Sequence, residues 1–295
     1  MNILVIGSKG FVGGHVYSYF KNISSCFGCD IIPDDFDHNY ILITDFKSDI
    51  QDLFLSHNFD ICINCSGSAN VHDSLIHTVR DFELNVFNVI LILDVIKQKQ
   101  PNCKYINLSS AAIYGNPINL PIKSTTQVDP VSPYGLHKLM SEQLCFEYFS
   151  YFGIPTISLR VFSAFGPGLK KQIFWDWFCK SQKQEIVSLN GNGNESRDYI
   201  YIEDLVTVID LTINFSLFDG SCINVANGNE IFIKDIADIY FKKLNKEYYF
   251  NGNTNSVDPL NWRADIEIIK RWGYKPHTSI QDGLIKYIEW AKELN

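Results

Sequence analysis

The first half of the chain alternates short apolar runs with longer stretches in which apolar residues recur at helical spacing. Runs such as NILVI and DICINC are almost wholly apolar, which is typical of strands covered on both faces of a sheet. We predict strands at Asn2–Ile6, Cys26–Ile32, Tyr40–Thr44, Ile61–Cys65, Lys104–Leu108 and Thr156–Val161, and helices at Phe11–Lys21, Leu84–Lys97 and Tyr134–Phe149. This alternation predicts parallel βαβ units, so the expected fold class is α/β, a Rossmann-type doubly wound parallel sheet.

The pattern changes after Phe165, where aromatic and turn-rich segments replace the regular alternation. Here we predict a helix at Ile173–Lys183, a loop at Asn190–Glu195, a strand at Cys222–Asn227, a loop at Asn251–Asn261 and a helix at Ser279–Leu294. We assign residues 1–165 to a dinucleotide-binding domain, to which segments near 199–227 return. Residues 166–198 and 228–295 then form a smaller interleaved C-terminal lobe that binds the substrate.

The charge balance is acidic, with 33 Asp and Glu residues against 25 Lys and Arg residues in a chain of 295. A formal net charge of −8 argues against a nucleic-acid partner, because phosphate-rich partners need a positive surface. No charged segment precedes the first apolar run, and no apolar stretch approaches ~18 residues. We therefore expect a cytoplasmic protein with no membrane partner.

Two CxxC pairs, Cys26/Cys29 and Cys62/Cys65, raise the alternative of a zinc site. Both pairs lie in strand-like runs, where positions three apart point to opposite faces. We interpret these cysteines as buried small apolar residues and predict no metal.

Three glycines, Gly7, Gly10 and Gly13, stand between the first predicted strand and the first predicted helix. In this context they allow a tight turn, close approach of a pyrophosphate, and close packing of helix on strand. The helix N-terminus would present N–H groups to the phosphates, so Phe11 and Val12 are further candidate contacts. The alternative is an ordinary glycine-rich turn.

Asp30 follows the glycine loop by about 20 residues, the spacing expected for an acid that binds the adenosine ribose. In that role its charge would repel a 2′-phosphate and favour NAD over NADP, although NADP stays open. Asp45 is a candidate contact of the adenine edge, and a plain loop carboxylate is the alternative.

Ser110, Tyr134 and Lys138 form the strongest chemical pattern. Tyr134 and Lys138 are four residues apart in SPYGLHK, so a helix places them on one face. A nearby ammonium stabilises a phenolate and brings tyrosine closer to useful acid–base range. Ser110 follows an apolar strand and is placed to hydrogen-bond the same substrate oxygen.

With these motifs, the chain resembles the extended short-chain dehydrogenases/reductases of the nucleotide-sugar epimerase/dehydratase family. The matching segments are GSKGFVGG, NLSSAAIYG, SPYGLHKLMSEQL, LRVFSAFGPG and SRDYIYIEDLV. The resemblance implies that Ser110, Tyr134 and Lys138 are catalytic, with Ser109 the less suitable serine. It also implies cofactor contacts near Ser66, Gly67, Asn85 and Phe162.

The resemblance further implies that Arg197 holds the diphosphate of a nucleotide sugar, and a guanidinium suits phosphate oxygens well. An ion pair with Asp198 is the alternative role for Arg197. Arg263 is a candidate second phosphate contact.

The chain departs from the family pattern at two places. Ser163 stands where many relatives have Asn, which weakens the transfer of substrate contacts to this position. Ala111 and Ala112 stand where 4,6-dehydratases carry an Asp-Glu pair that moves protons. Alanine cannot transfer protons, so we do not expect dehydratase activity.

We therefore expect an enzyme of carbohydrate biosynthesis, an NAD(P)-dependent oxidoreductase that acts on a nucleotide-diphosphate sugar. The first hypothesis is a 4-ketoreductase, because the chain is compact. One alternative is a 4-epimerase that uses tightly held NAD, and another is a non-catalytic NAD(P)-sensing binding protein. A homodimer is expected, since relatives often pair through helices like Leu84–Lys97 and Tyr134–Phe149.

Overall fold

A seven-stranded sheet organises much of the chain in the computed structural model, which describes residues 1–253 and 259–294. The strands are β1 (Asn2–Ile6), β2 (Ser25–Asp30), β3 (Tyr40–Leu42), β4 (Ile61–Asn64), β5 (Lys104–Ser110), β6 (Thr156–Val161), β7 (Ser163–Phe165), β8 (Ile186–Leu189), β9 (Ser196–Arg197), β10 (Tyr199–Tyr201), β11 (Asp219–Val225), β12 (Ile231–Phe232) and β13 (Glu247–Phe250). The central sheet has the order β11-β6-β5-β4-β1-β2-β3, and its pairs from β3 through to β6 are parallel. The strand order reverses between β1 and β4, where sheets of this kind bind ligands.

Helices connect these strands. They are α1 (Phe11–Lys21), α2 (Phe46–Ser56), α3 (Val71–Ile76), α4 (Thr78–Phe82), α5 (Asn88–Lys99), α6 (Pro133–Phe152), α7 (Gln172–Ser181), α8 (Ile202–Phe215), α9 (Ile233–Leu244), α10 (Glu267–Arg271) and α11 (Ile280–Lys292). A π-helical turn at Glu83–Phe87 precedes α5, and a 3₁₀ turn at Ala111–Tyr114 follows β5. None of the helices within the described ranges is long and apolar enough to cross a membrane.

The predicted α/β fold class is confirmed, and three of its elements have the predicted bounds: β1, α1 and β6. The second strand was predicted to run to Ile32, since Ile31 and Ile32 are apolar, but it ends at Asp30. Both isoleucines are exposed and lie ahead of Pro33. The helix predicted from Leu84 begins inside the π-helical turn. The loop predicted at Asn251–Asn261 includes residues 254–258, which lie outside the described residues.

The chain divides into two compact units. The first contains residues 1–115, 127–161 and 209–224, and the second contains residues 116–126, 162–208 and 225–295. The assignment of cofactor to one part and substrate to the other stays a prediction.

The core of the first unit lies between the sheet and the helices that cover it. Leu4, Cys62, Tyr105 and Ile92 are each fully buried there. The cysteines of the described residues are free thiols, and burial raises the pKa of Cys26 and Cys65 to about 12. Such thiols stay protonated at neutral pH and pack as small apolar groups.

Among its described residues, the second unit has two-stranded ladders besides its helices. β7 pairs with β10 and β8 with β13 in parallel, and β9 pairs with β12 in antiparallel. An aromatic cluster around Phe174 packs α7 against β10, α9 and α11, with Tyr199, Tyr240 and Tyr287 as ring neighbours.

Candidate active site

The glycine loop joins β1 to α1 and fits only glycine at two of its positions. Gly7 has a φ of 80°, and a Cβ atom there would lie 2.7 Å from the backbone nitrogen of Ser66. A Cβ atom on Gly13 would lie 2.0 Å from the carbonyl oxygen of Gly7. Larger residues would therefore push α1 away from the loop and from the end of β4.

The N-terminus of α1 adjoins this loop. Gly10 is the N-cap residue, and Phe11 and Val12 form the first turn, which contains no acidic residue. The free N–H groups and the helix dipole at such an end favour an anion. The buried Ser8 hydroxyl in the loop has no hydrogen-bond partner among the described residues.

Asp30 is held at the end of β2 by backbone groups. Its carboxylate accepts the N–H of Lys9 at 2.8 Å and the N–H of Ile31 at 2.7 Å. A carboxylate has about four lone-pair sites, so capacity for hydroxyl donors remains. Asp45 is exposed before α2, and its carboxylate accepts the Ser48 hydroxyl at 2.7 Å.

Asn85 is a buried amide that lacks partners. It is 1% exposed, and neither its Oδ1 nor its Nδ2 has a hydrogen-bond partner within the described part of the chain. It lies in the π-helical turn and faces Gly67, where a Cβ atom would come within 2.6 Å of its Oδ1. An unsatisfied buried polar group is costly, so these residues, with Ser66 beside Gly67, fit a bound polar ligand.

Ser110, Tyr134 and Lys138 come together where β5 ends and α6 begins. The Ser110 hydroxyl lies close enough to the Tyr134 phenol to lower the pKa of that phenol. The Lys138 ammonium lies 5.9 Å from the centroid of the Tyr134 ring and donates to the Leu108 carbonyl at 2.9 Å. The sequence-predicted trio is therefore one cluster within the first unit.

Local sequence explains where α6 begins. The Ser132 hydroxyl accepts the N–H of Gly135 at 3.1 Å, and Pro133 occupies the first turn, where its missing N–H costs nothing. A Cβ atom on Gly135 would lie 2.6 Å from the Ala112 carbonyl oxygen. This close approach brings the Tyr134 turn against the segment after Ser110.

Burial raises the pKa of Tyr134 to about 12, and the nearby Ser110 hydroxyl opposes this rise, while Asp81 adds to it. A phenol with this pKa keeps its proton at neutral pH and is a donor to a substrate oxygen. To accept a proton it needs a neighbouring cation that stabilises the phenolate. Lys138 is placed for that role.

Ser109 serves a different purpose from Ser110, because adjacent strand residues point to opposite faces. The Ser109 hydroxyl donates to Glu142 at 2.6 Å. Glu142 also pairs with Arg160 at 2.8 Å, and both side chains are buried. Sequence reasoning missed this ion pair, which lies beneath the trio and ties β5, β6 and α6 together.

His137 and Asp81 form a second buried pair that sequence reasoning missed. His137 Nδ1 lies 2.6 Å from Asp81 Oδ2, and Tyr134 and Lys138 are on the same helix as His137. The only signal in the sequence was a histidine beside Lys138, within SPYGLHK.

The predicted substrate residues Ser163, Arg197 and Arg263 gather around Asp198 in the second unit. The Ser163 N–H donates to the Asp198 carbonyl at 3.1 Å, and the Asp198 carboxylate accepts the N–H of Ala264 at 2.9 Å. Arg197 directly precedes Asp198 in the chain, and Arg263 directly precedes Ala264. Phe162, a predicted cofactor contact, is buried and donates its N–H to the Val225 carbonyl at 3.0 Å.

The two arginines differ in their surroundings. The Arg197 guanidinium donates to the carbonyls of Ser196 and Leu260 and lies 5.7 Å from the centroid of the Trp262 ring. The Nε of Arg263 is buried and has no hydrogen-bond partner among the residues described. A buried guanidinium nitrogen without a partner fits an anionic ligand.

Asp198 shapes this region through its carboxylate. It accepts backbone N–H groups of Asn227, Gly228 and Ala264 at 2.9–3.1 Å. Burial nevertheless raises the pKa of Asp198 to about 7. The sequence suggested Asp198 only as a partner of Arg197, whereas the structure shows it as an anchor of two loops.

A scan against protein families matches residues 3–226 to the NAD-dependent epimerase/dehydratase family. The chain belongs to this family. Membership confirms the resemblance stated from the motifs and makes the chain a member of an NAD-dependent enzyme family. The site described above holds the residues that the family resemblance selects.

Several relatives that the chain matches over their full length carry epimerase names. The chain is 26% identical to a putative UDP-glucose 4-epimerase of Methanocaldococcus jannaschii, over 99% of each chain. It is 24% identical to the CDP-paratose 2-epimerase of Salmonella typhi, over the whole of both chains. The UDP-glucuronic acid 4-epimerase of Bacillus cereus, solved with UDP-glucuronic acid and NAD, has the same fold, with a TM-score of 0.90, 23% identity and 100% of both chains covered.

Proposed function

We propose that this member of the family is an NAD-dependent 4-epimerase of a UDP-sugar. The observation that carries the proposal is the clustering of Ser110, Tyr134 and Lys138 where β5 ends and α6 begins, with the Lys138 ammonium 5.9 Å from the centroid of the Tyr134 ring. Bound NAD would supply the hydride acceptor and donor at the sugar carbon. The epimerase names of full-length relatives favour this alternative over the 4-ketoreductase that the compact chain suggested.

The three side chains have complementary roles in this proposal. Tyr134 takes the proton from the sugar hydroxyl as a phenolate that Lys138 stabilises, holds it as a phenol while the sugar is a ketone, and then returns it. Ser110 donates a hydrogen bond to the same sugar oxygen. Ala111 and Ala112 offer no acid or base for an elimination, which is why dehydration is not proposed.

The first unit would hold the dinucleotide. The N-terminus of α1, with Gly10, Phe11 and Val12, would receive the pyrophosphate, and the Asp30 carboxylate would receive ribose hydroxyls. Asn85 would gain the partners that its buried amide lacks. Ser66, Gly67 and Asp45 of this unit are further proposed contacts of the cofactor, and Phe162 of the second unit is another.

The second unit would supply the phosphate contacts of the substrate. Arg197 and Arg263 would bind the diphosphate through charge-assisted hydrogen bonds, with the Arg263 Nε gaining a partner. Ser163, placed by its backbone bond to Asp198, would contribute a hydroxyl where many relatives have an amide.

We also propose that the protein is a homodimer. Phe82 in α4, Phe87 in the π-helical turn and Leu136 in α6 are each at least 40% exposed, and α6 lies against both other elements. Exposed large apolar side chains on adjacent elements are typical of a protein–protein surface. Location in the cytoplasm and the absence of a nucleic-acid partner stay predictions.

The proposal is tested with purified protein and a panel containing UDP-glucose, UDP-glucuronic acid, UDP-N-acetylglucosamine, a CDP-sugar and a 4-keto nucleotide sugar. Conversion of one UDP-sugar to its C4 epimer, without net change in NADH absorbance, is the expected result. Stoichiometric NADH oxidation with the keto sugar would identify a reductase instead. Tight NAD binding without turnover of any sugar would favour the non-catalytic binding protein.

A further inference from the structure

The glycine loop contains a cation, Lys9, that is held by an acid outside the dinucleotide motif. The Lys9 ammonium forms an ion pair with Asp34, in the loop after β2. It also lies 4.7 Å from the centroid of the Tyr40 ring. The ion pair lowers the pKa of Asp34, so the carboxylate stays charged throughout the neutral range.

Lys9 is tied to Asp30 as well as to Asp34. Its backbone N–H donates to the Asp30 carboxylate at 2.8 Å, and its side chain carries the ammonium toward Asp34. In dinucleotide-binding sheets, an acid at the end of the second strand receives the ribose hydroxyls, and a nearby cation receives a 2′-phosphate when one is present. The Lys9 ammonium, the cation within the glycine loop, is therefore already neutralised by Asp34.

The charges of the surrounding loop add to this effect. Asp37 binds the Lys21 ammonium at 2.6 Å and the Tyr17 hydroxyl at 2.9 Å. Asp30, Asp34 and Asp37 thus oppose Lys9 and Lys21, three carboxylates against two ammonium groups. A 2′-phosphate would bring further negative charge to a region with no spare cation among these groups.

We propose that Asp34 is a specificity-determining residue, which excludes NADP by withholding the Lys9 ammonium from a 2′-phosphate. This proposal rests on the proposed use of NAD, and it assigns the discrimination to the Lys9–Asp34 pair in addition to the charge of Asp30. Lys9 is a latent phosphate contact that Asp34 keeps neutralised.

Binding of NAD⁺ and NADP⁺ to purified variants tests the proposal, with dissociation constants measured by calorimetry at low and moderate salt. Asp34→Asn is expected to strengthen NADP⁺ binding by roughly tenfold, the effect of about one charge-assisted hydrogen bond. NAD⁺ binding should change less than about twofold, because NAD⁺ has no 2′-phosphate. The gain should shrink with added salt.

Asp35→Asn is the matched control, since it removes one charge from the exposed neighbouring carboxylate. A general charge effect would give equal gains for both variants and would overturn the proposal. The double variant Lys9→Met/Asp34→Asn should lose the gain, and its survival without Lys9 would also overturn the proposal. Thermal unfolding of each variant shows whether the fold is kept.

Dinucleotide binding by the unchanged chain shows whether a failure concerns the role of Asp34 or the proposed function. If the unchanged chain binds NAD⁺ tightly but the ratio of its NADP⁺ and NAD⁺ dissociation constants is the same in Asp34→Asn, only the role of Asp34 is overturned. Binding of neither dinucleotide would overturn the proposed function, and the specificity inference with it.

Discussion

The two units satisfy their backbone N–H and carbonyl groups in different ways. In the first unit, the parallel ladders of one sheet satisfy most strand N–H and carbonyl groups, and the site residues stand at strand ends and helix starts. In the described part of the second unit, strands pair in twos, and buried carboxylates accept some of the remaining backbone N–H groups. Asp198 accepts the N–H groups of Asn227, Gly228 and Ala264, and Asp204 accepts those of His277 and Thr278.

This difference bears on how the candidate site residues of each unit tolerate change. Around Tyr134, a side chain can be replaced while the sheet still fixes the backbone, so a variant there should alter chemistry more than structure. Around Arg197, the backbone itself depends on the buried carboxyl group of Asp198. Substitutions in the second unit should therefore separate into those that lose a ligand contact and those that loosen the loops.

The largest effect is expected from Tyr134→Phe, which removes the oxygen that we propose transfers the proton and keeps the ring. Turnover should fall about 10³-fold, since a positioned acid–base group contributes roughly 10²–10⁴-fold. NAD⁺ binding and thermal stability should stay close to those of the unchanged chain. The measurement is epimer formation by chromatography, with calorimetry for binding. Turnover within a few-fold of the unchanged chain would refute the role of Tyr134.

Lys138→Met should reduce turnover about 10²-fold, with a deficit that stays nearly constant from about pH 6 to 9.5. Burial already raises the pKa of Tyr134 to about 12, and loss of the ammonium raises it further, so less phenolate is present at every pH in this range. The whole range lies below the pKa of Tyr134 in both proteins, so their phenolate fractions rise in parallel with pH. Rates measured from pH 6 to 9.5 check the prediction. A rate that stays within a few-fold of that of the unchanged chain would rule out this role of Lys138.

Arg197→Met should raise the KM for the UDP-sugar about thirtyfold and change kcat little, because one charged phosphate contact contributes about 2 kcal/mol. The exposed Arg271, also in the second unit, provides the matched control Arg271→Met. Steady-state kinetics on both variants checks the prediction. Equal increases in KM would show a general charge effect and would remove Arg197 from the substrate site.

The same contrast explains what the sequence could predict. Local patterns determine β1, α1 and β6, so their bounds were predicted correctly, and the spacing of Tyr134 and Lys138 predicted a shared helix face. The pairs that support the site join distant residues: Asp81 with His137 across 56 positions, and Ser109 with Glu142 across 33. No periodicity encodes such pairs.

The second unit was harder to predict for the same reason. β9 and β12 have two residues each, and their pairing of Arg197 with Ile231 depends on the tertiary fold. The end of β2 was predicted too late because Ile31 and Ile32 look like strand residues although both are exposed. Apolar character alone did not distinguish a buried strand end from an exposed loop.

A smaller effect, on stability, is expected from Asp198→Asn. The amide keeps one acceptor oxygen for Asn227 and Gly228 but turns an NH₂ group toward the Ala264 N–H, which is left unpaired. The cost should be about 1–3 kcal/mol. Hydrogen exchange should show faster exchange at Ala264 and its neighbours, while amides of the central sheet stay protected. Protection at Ala264 equal to that of the unchanged chain would show that the carboxylate does not order this loop.

The pH dependence of hydrogen exchange at Ala264 tests further whether the second unit relies on the Asp198 carboxyl group. Burial raises the pKa of Asp198 to about 7 from an ordinary 3.8, so the folded state binds this proton more tightly than the unfolded state. The contribution to stability is fully present below about pH 4 and is lost as pH rises through 7. Protection at Ala264, corrected for intrinsic exchange rates, should therefore fall over that range in the unchanged chain and stay flat in Asp198→Asn. An equal slope in both would assign the dependence to another group and leave Asp198 ionised throughout.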